Sequence, residues 1–95
     1  MEASITDSTR LRKSPKIAWQ IIEDETAIVT LHDTTLHILN STGTRIWQLL
    51  DVKKSIAELV DAICEEYDVT RERAEKSIRR FVKELVLRGI LEIEK

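Results

Sequence analysis

The chain has a single cysteine, Cys64, so no disulfide can form within it, and the reading is a reducing, cytoplasmic setting. No apolar run approaches the roughly 18 residues that a bilayer span requires. The N-terminus lacks the apolar core of a signal peptide, so neither a membrane segment nor export is expected. There is no glycine-rich phosphate loop and no Ser-His-Asp constellation, which argues against nucleotide chemistry and acyl transfer. Only Pro15, Gly43 and Gly89 are strong breakers, so most of the chain is free to be regular structure.

What is present fits one folded domain. Of 95 residues, 42% are hydrophobic and 34% charged, a balance typical of a globular chain rather than a disordered one. At this length the core is modest, with little room for a deep catalytic cleft. The net charge is −2 and unevenly placed. Residues 17–68 hold three basic and ten acidic residues, whereas 71–88 hold seven basic and three acidic. A chain so divided is not a basic nucleic-acid binder as a whole, yet one segment carries local positive charge.

Residues 1–16 show no sustained apolar period and are expected to be a flexible arm, with the domain beginning at Ile17. From there the period is two. Ile17, Trp19 and Ile21 share one strand face; Ala27, Val29 and Leu31 alternate in a second strand; "TLHIL" (35–39) sets Leu36 and Ile38 opposite His37 and Leu39. Short polar turns at 23–25 and 32–34 join them, which predicts a three-stranded antiparallel meander with one apolar face.

Helices must cover that face. Asn40, Ser41 or Thr42 can cap the first, with Ile46, Trp47, Leu49 and Leu50 as its stripe. Ser55 and Glu58 form a capping box ahead of Ile56, Leu59, Val60, Ile63 and Tyr67. Thr70 caps a third helix that buries Ala74, Ile78, Phe81, Val82 and Leu85 and stops at Gly89; "ILEI" (90–93) is a short extended tail. The fold class is therefore α+β, a three-stranded antiparallel sheet followed by a three-helix bundle.

Few side chains suggest chemistry. His32, Asp33 and His37 are the nearest approach to a metal site, but a turn and a strand face do not converge by necessity, and no metal or other cofactor is expected. Cys64 beside an apolar stripe acts as a small hydrophobe. Glu23, Asp24 and Glu25 sit together in a turn, where carboxylates are simply solvated, so catalytic residues are not expected. Two features remain. Arg73, Lys76, Arg80 and Lys83 form a basic stripe on the third helix, either a solvated face or a contact for an acidic partner. The third strand lacks Pro and Lys; as an unguarded edge it is either covered within the fold or docks another strand.

The segments "LNSTGTRIWQLLD" (39–51), "SIAELVDAICEEYDV" and "SIRRFVKELVLRGIL" together resemble the PqqD-like family, in unbroken order over about residues 19–93. Such domains are recognition elements for ribosomally made, modified peptides. The resemblance implies a winged helix-turn-helix-like domain, spanning 17–95, that is not an enzyme. It would bind the leader of a precursor peptide and present it to a modifying enzyme of the radical-SAM or lasso type. The leader would add as a strand along Thr34, Thr35, Leu36, His37, Ile38 and Leu39, against a groove wall of Ser77, Ile78, Arg80, Phe81, Glu84 and Leu85. Two departures stand out: Val52 where the family usually has Gly, and Ser77 where it often has Asp. The second exchanges a charged acceptor for a hydroxyl and points away from a pyrroloquinoline-quinone precursor.

The basic stripe would then favour acidic leaders. The rival reading is a winged-helix DNA binder with the third helix as reader, opposed by the negative charge of residues 17–68. A third alternative is a scaffold in which the open edge pairs with a second copy.

Overall fold

The computed structural model describes residues 5–52 and 55–94. Its elements are β1 (Arg10–Lys13), β2 (Ile17–Ile22), β3 (Glu25–Thr30), β4 (Thr35–Leu39), α1 (Ser41–Leu49), α2 (Ile56–Glu66), α3 (Arg71–Leu87) and β5 (Leu91–Glu94). β2, β3 and β4 form the antiparallel meander, with β2 and β4 at its edges, while β1 and β5 pair antiparallel as a second small sheet. The α+β, winged helix-turn-helix-like arrangement follows from this order: strands first, then three helices packed beneath them. No helix among the described residues is long and apolar enough to cross a membrane.

The helix boundaries follow their caps. Asn40 accepts the Gly43 N–H through its side-chain oxygen at 2.9 Å, and the Ser55–Glu58 capping box closes in both directions. Thr70 accepts from the Arg73 N–H at 3.3 Å. α3 ends in a Schellman turn: the Gly89 N–H reaches the Val86 carbonyl at 3.1 Å and the Ile90 N–H reaches that of Leu85 at 2.9 Å. Gly89 supplies the φ of 76° that this turn needs. Ile90, expected in the tail strand, is instead the buried residue that closes the turn.

Trp47 lies at the centre of the core with no exposed surface, among Leu11, Ile28, Leu50, Ile56, Leu59, Ile78, Val82 and Leu91. Its ring meets that of Trp19 edge-on, centroids 5.5 Å apart, the geometry favoured by aromatic quadrupoles.

Three further expectations are corrected. Arg10–Lys13, placed in the flexible arm, is strand β1, and Leu11 is completely buried. One apolar residue among three basic ones gives no period to read, and the partner strand lies some 80 positions away. The pairing itself is complementary. Arg10 stands opposite Glu94 and Arg12 opposite Glu92, with ion pairs of 3.5 and 2.9 Å. Lys13 closes the strand, its ammonium 4.5 and 4.6 Å from the ring centroids of Trp19 and Trp47 and 2.8 Å from Asp51. The first four residues of the arm lie outside the described residues.

The second correction is the phase of the meander. The side of β3 that faces the core carries Thr26, Ile28 and Thr30, all buried, whereas Ala27, Val29 and Leu31 face outward. Threonine can occupy the inner rows because its hydroxyl is satisfied there: Thr26 and Thr44 share a buried hydrogen bond of 2.7 Å that ties β3 to α1. The outward rows are apolar too, so periodicity alone could not tell the two sides apart. Third, Thr34 belongs to the turn before β4, not to the strand, and holds a φ of 50°. Its hydroxyl donates to the Asp33 carbonyl at 2.7 Å.

Candidate functional site

α3 builds the site by dividing its faces. Ala74, Ile78, Val82 and Leu85 recur at helical spacing and are buried. On the adjoining flank, Arg73, Lys76, Ser77, Arg80, Phe81 and Glu84 line an open cavity of about 370 Å³. The cations of this helix fall into two sets. Arg71 pairs with Asp61 at 2.7 Å, Arg79 with Asp7 and the Ile5 carbonyl, and Arg88 with Glu84 at 3.2 Å. Arg73, Lys76, Arg80 and Lys83 make no ion pair among the described residues. The single carboxylate of the cavity wall is thus already neutralised, while three of its cations are not.

β4 runs beside the C-terminal half of α3. The Nδ1 of His37 lies 3.3 Å from Arg88 Nη1. Further along, Leu39 and Phe81 meet at Gly43: a side-chain carbon built there would stand 3.1 Å from the Phe81 ring and 3.3 Å from Leu39 Cβ. Gly43 suits the position because a Cβ there would crowd the ring and the strand, and a neighbour would have to give by a few tenths of an ångström. On its other side β4 has no strand partner among the described residues, so its outer N–H and C=O groups present a pairing edge.

The expected site residues separate accordingly. Thr35, Leu36, His37, Ile38 and Leu39 make the edge strand, with Leu36 and Ile38 60% and 55% exposed. Ser77, Arg80, Phe81 and Glu84 border the cavity. Ile78 and Leu85 do not: at 1% and 5% exposure they lie behind it in the core, because they share the helical face of Ala74 and Val82. Arg73 and Lys76 were legible as part of the stripe but not as cavity wall. The role of Gly43 could have been suspected from a glycine early in a helix.

His32, Asp33 and His37 do not converge on a common point. Asp33 accepts from the Thr30 hydroxyl and from the Thr35 N–H. The Thr30 bond, chiefly, holds its carboxyl below the usual range. His37 has Thr30 on one nitrogen and the Arg88 guanidinium on the other, a cation where a metal would have to sit. No group of three metal-ligating side chains occurs among the described residues. Away from the groove, Arg45 grips Glu66 through two bonds of 2.7 Å, raising the guanidinium and lowering the carboxyl.

An open strand edge beside a cationic helix flank, on a winged helix-turn-helix-like frame, defines a class of domain that takes up an extended chain. Sequence comparison supplies the family: the profile described as "Coenzyme PQQ synthesis protein D (PqqD)" matches residues 25–91, and the chain belongs to that family. Among solved structures, it is similar to "TbiB1 in Complex with the TbiA(beta) Leader Peptide", with 37% identity and a TM-score of 0.80 over 85% of this chain and 94% of that one. It is also similar to "Lasso peptide synthetase B1 complexed with the leader peptide", with 25% identity and a TM-score of 0.79 over 87% and 98%. No curated protein matches.

Proposed function

We propose that the chain is a non-catalytic adaptor that binds the leader of a ribosomally made precursor peptide as an added strand along β4 and presents it to a modifying enzyme. The observation that carries this reading is the juxtaposition of the unpartnered β4 edge with the cation-lined cavity of α3. Main-chain hydrogen bonds to the edge supply affinity irrespective of sequence, and alternate side chains of the guest, turned toward α3, supply selection. Phe81, half-buried against Gly43, offers an apolar anchor point. Arg73, Lys76 and Arg80 favour a leader with carboxylates on the same face and accelerate its encounter. The domain in our reading takes in β1 as well as the elements from Ile17 onward, since Leu11 belongs to its core.

Both solved relatives hold a leader peptide, and one is a lasso peptide synthetase subunit. Together with Ser77 in place of the Asp common in the family, this favours a lasso-type modifying system over a radical-SAM one.

Calorimetric titration with the leader of the candidate precursor tests the reading, with a DNA duplex at low salt as the competing ligand. Leader binding is expected, and Phe81→Ala should weaken it roughly thirtyfold, as loss of a central aromatic anchor does. Leu36→Pro, which distorts the edge and deletes an N–H, should abolish it, circular dichroism staying native for both variants. Tight duplex binding with steep salt dependence and no leader binding would instead support the DNA-reading rival.

A further inference from the structure

The inward side of β4 is not all core. Its inner row reads Thr35, His37 and Leu39, opposite Thr30, Ile28 and Thr26 of β3. Ile28 has no exposed surface, yet the position facing it carries a half-buried imidazole. Ring nitrogens in such a place need partners, and both have one. Nδ1 lies 3.3 Å from Arg88 Nη1, and Nε2 lies 3.5 Å from the hydroxyl of Thr30, its diagonal neighbour across the sheet.

The donor roles follow from those partners. A guanidinium donates and never accepts, so Nδ1 accepts from Arg88 and carries no proton. The proton of the ring is then on Nε2, where it meets Thr30. That hydroxyl donates to Asp33, which leaves its oxygen to accept from His37. One ordered series thus joins the C-cap of α3 to the β3–β4 turn, from Arg88 to His37 to Thr30 to Asp33. The second amino group of Arg88 holds Glu84 Oε1 at 3.2 Å. The guanidinium therefore spans from the docking strand to the carboxylate of the cavity wall without lining the cavity itself.

Glu84 matters because Arg73, Lys76 and Arg80 of the same wall make no ion pair among the described residues. A bare carboxylate among them would offset part of their field and repel an acidic guest. An exposed pair four residues apart on a helix holds only weakly by itself. Tied to His37, Arg88 has fewer rotamers in which it leaves Glu84.

We propose that Arg88, held by the unprotonated Nδ1 of His37, is a positioning residue that sets the charge preference of the groove: it masks the Glu84 carboxylate and keeps the wall selective for acidic leaders. The inference rests on the leader-binding reading above. Arg88 acts through Glu84 and needs no contact with the guest.

The test uses the full chain, the fluorescent leader peptide of the precursor encoded beside it, and a copy of that peptide with Asp and Glu changed to Asn and Gln. Wild type should prefer the parent leader. Arg88→Gln should weaken the parent leader about fivefold by anisotropy and the neutralised copy hardly at all. Adding Glu84→Gln to Arg88→Gln should return the parent leader to within about twofold of wild type, a rescue that lost packing could not produce. His37→Phe, which removes the acceptor, should weaken the parent leader about threefold, and His37→Asn, whose carbonyl oxygen can stand in for Nδ1, should recover part of that loss. Nitrogen NMR of the wild-type ring should show the proton on Nε2. Equal losses for the two peptides in Arg88→Gln, no recovery in the double variant, or a proton on Nδ1 would overturn the proposal. So would equal affinity of the wild-type chain for the two peptides. Failure of the wild-type chain to bind either peptide would instead remove the adaptor reading itself.

Discussion

The two surfaces that meet at β4 differ in kind. The α3 flank is cationic, concave and carries one aromatic ring, whereas the outward sheet face is largely aliphatic and open, with carboxylates gathered at the β2–β3 turn. A single strand serves both and the core as well: His37 and Leu39 turn inward, Leu36 and Ile38 outward, and the backbone edge sideways. In the adaptor reading the open edge explains why a strand with three aliphatic residues in five carries no guard residue.

Charge reversal is the strongest way to separate them. Arg73→Glu with Arg80→Glu leaves the fold intact, because neither residue has an ion pair to lose among the described residues. It should weaken binding of an acidic leader by one to two orders of magnitude and flatten its salt dependence, measured by anisotropy at two ionic strengths.

A smaller and subtler effect is expected at Gly43. An added methyl would stand 3.1 Å from the Phe81 ring and 3.3 Å from the Asn40 cap oxygen. Gly43→Ala should therefore shift the ring by a few tenths of an ångström and reduce leader affinity several-fold, with roughly 1 kcal/mol lost in thermal stability. Leu36→Ala, whose side chain turns away from the groove, should leave leader affinity by anisotropy nearly unchanged.

The smallest effect concerns Asp33, where the turn into β4 is tied down. Its carboxyl is lowered by the Thr30 hydroxyl bond, so the folded state holds the proton more weakly than the unfolded chain. The stabilisation is complete above the ordinary carboxylate pKa and is lost as pH falls through the lowered folded value. Asp33→Asn should reduce the thermal midpoint slightly near neutral pH, and the gap to wild type should close in acid. A gap that persists there would place the stabilisation elsewhere in the turn.

Helix positions were legible because capping chemistry is local: Ser55, Thr70 and Gly89 each act within four positions, and the first cap, open among Asn40, Ser41 and Thr42 in the sequence, is Asn40. The basic stripe was legible for the same reason, as helical spacing places Arg73, Lys76, Arg80 and Lys83 together. Strand β1 was not, because its evidence lies in the match of Arg10 and Arg12 to Glu94 and Glu92, a long-range complementarity that no local pattern announces. The inward side of β3 was hidden by chemistry rather than distance. Thr26 and Thr30 count as polar in any periodicity, yet their hydroxyls are satisfied inside by Thr44 and Asp33. Groove membership was overstated for Ile78 and Leu85, since apolar character alone does not separate a groove lining from the core behind it.

The most direct measurement is an N-methyl scan of the leader peptide, one backbone nitrogen at a time, with affinity for the full chain read by calorimetry. Strand addition at β4 predicts losses that alternate along the guest, every second methyl severing a bond to the edge and the intervening ones falling on the solvent side. Losses without that period, or uniform tolerance, would contradict it.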